Sequence, residues 1–190
     1  HGRDGCCRSR KNERNRIEAR DTVTEIDDPG GAEAIRLARD LFLREDNNYG
    51  CAESALVALQ ELYGFEDSDD SSAAMALNGG VAYSGGVCGA ISGAAMAVGR
   101  LAAERIDDHR EAKATARKIV MKVMGEFRDQ FGSHNCRDLI DYEISIPSQH
   151  DAFIESGVWH DTCMKQVEFS VGRLAALSDQ AAWEKMVASL

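Results

Sequence analysis

Four cysteines of this 190-residue chain occupy the same kind of position, in the first turn of a predicted helix. They are Cys51, Cys88, Cys136 and Cys163. A helix N-terminus directs free N–H groups and a partial positive charge at a nearby sulfur, which stabilises a thiolate. The recurrence of this placement predicts that the four helix starts converge on one sulfur-rich site.

Cys88 lies in the most glycine-rich of the four segments, residues 85–95. Gly86 precedes it by two residues and Gly89 follows it directly. Glycine costs helix stability and is favoured where the backbone must bend or approach another group closely. We therefore expect Gly86 and Gly89 to bring the backbone close to the sulfur site, and the glycine surroundings to leave the Cys88 thiol accessible.

Four convergent thiolates suit three kinds of chemistry. They could bind a [2Fe–2S] cluster, with one cysteine pair on each iron and backbone N–H groups directed at the sulfurs. A zinc ion would accept the same four sulfurs in tetrahedral geometry. Two dithiol pairs that cycle to disulfides would need no metal, and Cys88 would be the attacking thiolate of such a thiol–disulfide oxidoreductase. The cluster accounts for the helix starts and the glycines together, so we rank it first. The residues leave open whether the protein is an enzyme.

Other catalytic signatures are absent from the sequence. No Cys-x-x-Cys is present, which excludes the zinc-ribbon and thioredoxin patterns. No Ser-His-Asp order, phosphate loop or His-Glu-x-x-His motif supports a hydrolase or a nucleotide-binding protein. His134 and His160 lie close to two of the cysteines, and we expect them at helix starts or facing solvent rather than as ligands.

The composition predicts an all-α protein. Two prolines, 6% aromatic residues and long runs of helix formers argue against a strand-rich chain. We expect a single-domain helical bundle of about six to eight helices over residues 29–190, the four-cysteine domain. Residues 1–28 have no sustained apolar period, so we expect a flexible basic tail that contains Cys6 and Cys7.

Hydrophobic periodicity locates the helices that would position the cysteines. It predicts a glycine-interrupted helix over 73–83 and a helix of very small residues from Cys88 to about Ile106. The longest helix is predicted over 108–131, with Gly132 as its stop. Cys163 is expected to begin the last long helix.

Charge and hydropathy limit the partners. Residues 1–20 carry seven Lys/Arg and three Asp/Glu, a local charge of +4, which leaves −14 for the rest of the chain. An acidic surface repels nucleic acid and anionic membranes and favours a basic redox partner protein. No apolar run is long enough for a membrane span, and no apolar segment of the signal-peptide type stands near the start, so we expect a cytoplasmic protein. A homodimer is compatible with the sequence.

The chain resembles a family of redox-active proteins named for the pattern C_GCAxxG_C_C. The central element of that pattern is similar to Cys88-Gly89-Ala90-Ile91-Ser92-Gly93, and Gly50-Cys51-Ala52, Cys136 and Cys163 follow the same order. The resemblance covers about residues 33–178 and implies a helical protein whose four cysteines form a redox or metal site. A similar domain forms the N-terminal iron–sulfur part of split-Soret cytochromes. Their haem function does not carry over, because this chain has no Cys-x-x-Cys-His.

Overall fold

A computed structural model describes residues 29–190, and the predicted basic tail lies outside the described residues. The described chain is helical and contains no strand, which confirms the all-α prediction. Its α-helices are α1 (Pro29–Phe42), α2 (Cys51–Tyr63), α3 (Gly89–Arg105), α4 (His109–Phe131), α5 (Cys136–Ile140), α6 (Pro147–Ser156), α7 (Met164–Ala175) and α8 (Gln180–Ala188). Over residues 29–190, none of them has both the length and the apolar character that a bilayer span requires.

Helices α2 and α3 form the centre of the bundle, and α1, α4 and α7 pack around them. Residues 52–60 of α2 are all buried. Small residues of α3 face α2, and a Cβ added at Gly93 would overlap with the carbonyl oxygen of Ala52. The two backbones therefore approach as closely as only glycine allows.

Helix α4 has the termini that the sequence predicts. The Asp108 carboxylate accepts a hydrogen bond from the Glu111 N–H at 2.7 Å, which satisfies one free donor of the first turn. Gly132 ends the helix in a left-handed conformation with φ of 85°. The predicted range of 108–131 differs from the observed helix by one residue.

The predicted helix over 73–83 is wrong. A 3-10 helix, Ser72–Leu77, is followed by a left-handed turn over 79–83, in which all five residues have φ between 49° and 73°. Gly79 and Gly80 adopt this conformation without a steric penalty, and Val81, Ala82 and Tyr83 continue it at a cost of about 1–2 kcal/mol each. Periodicity missed the turn because alanine and tyrosine carry no signal for left-handed backbone.

Residues 133–163 fold into a small unit that we call the cap. It contains α5, α6 and a π-helical turn, Trp159–Cys163. It has a hydrophobic cluster of its own, whose buried members are Cys136, Ile140, Ile144 and Phe153, with Cys163 packed against them. Cys88 belongs to the main core and Cys51 packs against it. The four cysteines are thus divided between the bundle and the cap.

Candidate functional site

A short antiparallel bridge joins the segments that precede Cys88 and Cys136. Val87 pairs with Asn135. The Cys88 N–H donates to the carbonyl oxygen of His134 at 2.8 Å, and the Cys136 N–H donates to that of Gly86 at 2.7 Å. The starts of α3 and α5 therefore lie side by side, although 48 residues separate them in the chain. A one-residue pairing of this kind has no periodicity, so the sequence did not predict it.

The start of α2, where Cys51 lies, is capped by a side chain from another segment. Asn78 accepts a hydrogen bond from the Ala52 N–H at 3.0 Å and donates to the carboxylate of the buried Glu53 at 2.8 Å. The same Glu53 oxygen accepts from the Gly50 N–H at 2.9 Å. A Cβ at Gly50 would overlap with the Asn78 amide. Gly50 therefore leaves room for the Asn78 side chain, whose hydrogen bond to the Ala52 N–H stabilises the start of α2 at Cys51.

Gly89 brings the first turn of α3 against the Cys51 sulfur. A Cβ at this position would overlap with Cys51 Sγ and would lie 3.1 Å from the Ala52 nitrogen and 3.2 Å from the Leu77 oxygen. Gly86 differs from the expectation, because its nearest neighbour is the Gly80 carbonyl oxygen and not a sulfur. Gly86 contributes to the site indirectly, because its carbonyl oxygen accepts the hydrogen bond from the Cys136 N–H.

Cys163 does not begin a helix, contrary to the prediction. Gly157 ends α6 in a left-handed conformation, and the chain re-enters a helix four residues before Cys163, through the π-helical turn. Cys163 has helical dihedrals of −67° and −34° and leads directly into α7. Its sulfur therefore lies at a wide helical turn, a feature that is frequent at functional sites, and not at free N–H groups.

The segments of the four cysteines meet: Gly89 beside Cys88 lies against Cys51 Sγ, the bridge joins the segments of Cys88 and Cys136, and Cys163 packs on the apolar cluster that contains Cys136. Cys88 is 3% exposed and Cys136 is 7% exposed, whereas Cys51 and Cys163 are half-buried. A thiolate charge at any of the other three cysteines would raise the pKa of Cys88. A thiolate charge at Cys51 would likewise raise the pKa of Cys136 and of Cys163. The directions of these pKa shifts agree with the contacts between the four segments.

Burial dominates the ionisation of the free thiols. It raises the pKa of all four, to about 12 for Cys136 and well above the ordinary value for Cys88. At Cys51, N–H groups of Gly79, Ala52 and Gly89 oppose this effect without overcoming it. The expected accessible Cys88 thiolate is therefore wrong. The glycines around Cys88 remove side chains, but α3 and its neighbours fill the space.

The four cysteines follow the sequence pattern of a known protein family. The protein family described as "Putative redox-active protein (C_GCAxxG_C_C)" matches residues 49–177, which include the four cysteines and extend from α2 to α7. The chain belongs to this family. No curated protein and no solved structure was found to match it. The expected similarity to split-Soret cytochromes therefore stays a prediction.

The C_GCAxxG_C_C pattern takes on a structural meaning in this fold. The thiol of its central cysteine, Cys88, lies in the core. The glycine that follows, Gly89, lets the backbone contact the sulfur of the first cysteine, Cys51. Its last glycine, Gly93, is the point where α3 meets the backbone of α2. The pattern therefore describes how two helices cross at the sulfur site.

One buried polar side chain at the site was missed by the sequence analysis. Gln166 of α7 is 2% exposed, and its Oε1 lies 3.6 Å from Cys88 Sγ, within reach of the thiol proton. Its Nε2 has no hydrogen-bond partner among residues 29–190. The available signal was a polar residue directly before the apolar stripe of Val167, Val171 and Leu174.

The two histidines near the cysteines take no part in the thiol contacts. His160 is exposed and lies 3.3 Å from the Asp161 carboxylate. His134 contributes its backbone carbonyl to the bridge. Over residues 29–190, no three His, Cys, Asp or Glu side chains are grouped closely enough to hold a single metal ion.

Proposed function

We propose that Cys51, Cys88, Cys136 and Cys163 bind a [2Fe–2S] cluster and that the protein transfers electrons. One observation supports the proposal: the segments of the four cysteines meet where the cap packs on the bundle, through the contact of Gly89 with Cys51, the bridge between Val87 and Asn135, and the packing of Cys163 on the cluster of Cys136. A packing role for cysteine requires no such convergence. Cys88 and Cys136 are buried, and N–H groups of α2, α3 and the left-handed turn lie against Cys51 Sγ, as a negatively charged sulfur requires.

The donor set fits a two-iron cluster better than a single zinc ion. Zinc needs four sulfurs around one point at about 2.3 Å, and the described side chains offer no such group. A cluster takes one cysteine pair per iron and so spans a wider set of sulfurs. The bundle contributes Cys51 and Cys88 and the cap contributes Cys136 and Cys163, which makes two pairs. When bound, the cluster accepts and releases one electron.

Thiol–disulfide exchange is the second candidate, since the four described cysteines are free thiols. The structure supports it less well. The expected attacking residue, Cys88, is buried and its pKa is raised, and both properties slow attack on a disulfide of another protein.

Single serine variants test the proposal. Cys51→Ser, Cys88→Ser, Cys136→Ser and Cys163→Ser are each expected to weaken iron retention by about tenfold or more and to lose acid-labile sulfide in parallel. The double variant Cys6→Ser/Cys7→Ser is the matched control and should keep both. Iron and sulfide are measured after purification without oxygen. Zinc in place of iron and sulfide, or a wild-type protein with neither metal, would refute the cluster.

We also propose that the redox partner is basic and docks on the cap. Residues 138–161 contain no Lys or Arg and six acidic residues, which are Asp138, Asp141, Glu143, Asp151, Glu155 and Asp161. Two isoleucines of the same segment, Ile146 and Ile154, are 40% and 46% exposed. An acidic surface with exposed apolar side chains, on the unit that carries Cys136 and Cys163, suits a basic protein that exchanges electrons there.

Charge reversal on α6 tests this docking site. With cytochrome c as a basic electron acceptor, the Asp151→Lys/Glu155→Lys variant is expected to transfer electrons about tenfold more slowly at low salt, and added salt should reduce the difference. The control is Glu66→Lys/Asp69→Lys, beyond the end of α2 that lies about 20 Å from Cys51. Equal effects of the two charge reversals would show that only the net charge matters.

A further inference from the structure

We infer that the side-chain amide of Gln166 donates a hydrogen bond to the sulfur of Cys88 when that cysteine is a cluster ligand, and that this bond raises the reduction potential. The inference rests on the proposed function. It assigns a positioning and tuning role to a residue outside the cysteine pattern.

Gln166 is buried in a place that otherwise does not need an amide. It lies on α7, three residues after Cys163, and is 2% exposed. Its Oε1 is 3.6 Å from Cys88 Sγ, whereas its Nε2 has no partner among residues 29–190. A buried amide nitrogen without an acceptor costs free energy, and such a group in a folded protein calls for a ligand or a redox role. An apolar residue of similar size would avoid that cost.

Ligation of Cys88 supplies the missing acceptor. The free thiol has a proton, and the observed contact is the S–H group facing the Oε1 oxygen. A ligated cysteine has no proton, so its sulfur can only accept. Rotation of the amide about its last side-chain bond exchanges Oε1 and Nε2 and places an N–H group where the oxygen was. The same buried side chain therefore fits both the free thiol and the ligated sulfur.

The hydrogen bond has a predictable effect on electron transfer. Reduction adds negative charge to the cluster and its cysteine sulfurs, so an N–H donor stabilises the reduced form more than the oxidised form. Low polarity around Cys88 strengthens the effect, because the sulfur and the amide are both buried. Loss of the donor should therefore lower the reduction potential.

The test compares Gln166→Leu with Gln60→Leu in the complete, cluster-loaded chain. Gln60 of α2 is also buried, but its amide donates to the carbonyl oxygens of Ser68 and Asp70 at the far end of the helix. Gln60→Leu leaves two carbonyl oxygens without their donor and should be less stable to heat, so it is the control for a loss of stability. Only Gln166→Leu should shift the one-electron equilibrium toward the oxidised form, by about tenfold, or about 59 mV. It should also alter the visible absorption bands that arise from sulfur-to-iron charge transfer.

The results separate this inference from the proposed function. A loaded wild type and a Gln166→Leu variant of equal potential and absorption would overturn the inference and leave the cluster in place. Equal shifts in the two variants would overturn it as well, because a general loss of stability would then be the cause. A wild type without iron would overturn the proposed function and the inference together.

Discussion

Gly89→Ala is expected to prevent the proposed cluster from binding at the four cysteines while the bundle remains folded. The added methyl group would overlap with Cys51 Sγ and would crowd the Ala52 nitrogen and the Leu77 oxygen, at 3.1 and 3.2 Å. In the free protein the Cys51 side chain can rotate away, which limits the loss of stability to about 1–3 kcal/mol. A ligated sulfur cannot move without leaving its iron. Iron and sulfide should therefore fall by about tenfold or more.

Gly99→Ala on the same helix is the matched control. An added Cβ at Gly99 meets nothing within 4 Å, so this variant should keep its iron and gain about 0.5–1 kcal/mol from the better helix propensity of alanine. The readouts are iron and sulfide per chain together with the thermal unfolding midpoint. Normal cofactor content in Gly89→Ala would mean that this glycine serves helix packing alone and that the sulfur site tolerates a displaced Cys51.

Gly93→Ala is expected to damage the fold itself. Its Cβ would overlap with the carbonyl oxygen of Ala52 and lie 2.8 and 3.0 Å from two further backbone atoms of that residue. Backbone atoms in the middle of a buried helix cannot turn aside, so α2 and α3 must separate at the centre of the core. We expect a loss of about 3 kcal/mol, which lowers the midpoint of thermal unfolding by roughly 10 °C in a domain of this size.

The contrast between the two variants is the informative result. Gly89→Ala should affect cofactor content more than stability, and Gly93→Ala should affect stability more than Gly89→Ala or Gly99→Ala. Circular dichroism during heating gives the order of the midpoints. A Gly93→Ala protein as stable as Gly99→Ala would contradict the close crossing of α2 and α3.

Local signals were sufficient for much of the fold. Composition predicts the all-α class. The N-cap residue Asp108 and the glycine that ends the helix, Gly132, predict the limits of α4. Cys51 and Cys136 stand at helix starts after the N-cap residues Gly50 and Asn135, and Cys88 is itself the N-cap residue of α3. These features depend on neighbouring residues in the chain, and a single sequence displays them.

The remaining features depend on contacts between distant segments. The bridge between Val87 and Asn135 carries no local pattern, and neither does the left-handed turn that brings Gly79 to Cys51. Gly157 ends α6, and the sequence after it suggested that a new helix begins at Cys163. The chain instead re-enters a helix before this cysteine, at the π-helical turn. Thiol ionisation was misjudged for the same reason, because a helix start was visible in the sequence and the burial of its sulfur was not.

Iron-edge X-ray absorption of protein purified without oxygen distinguishes a two-iron cluster from a single metal ion at the four cysteines. Each iron should have sulfur neighbours and a second iron close by, and this signal should disappear in Cys88→Ser. The Cys6→Ser/Cys7→Ser variant should leave the spectrum unchanged. A single metal ion surrounded by four sulfurs with no neighbouring iron, or iron bound through nitrogen and oxygen, would contradict a cluster held by these four cysteines.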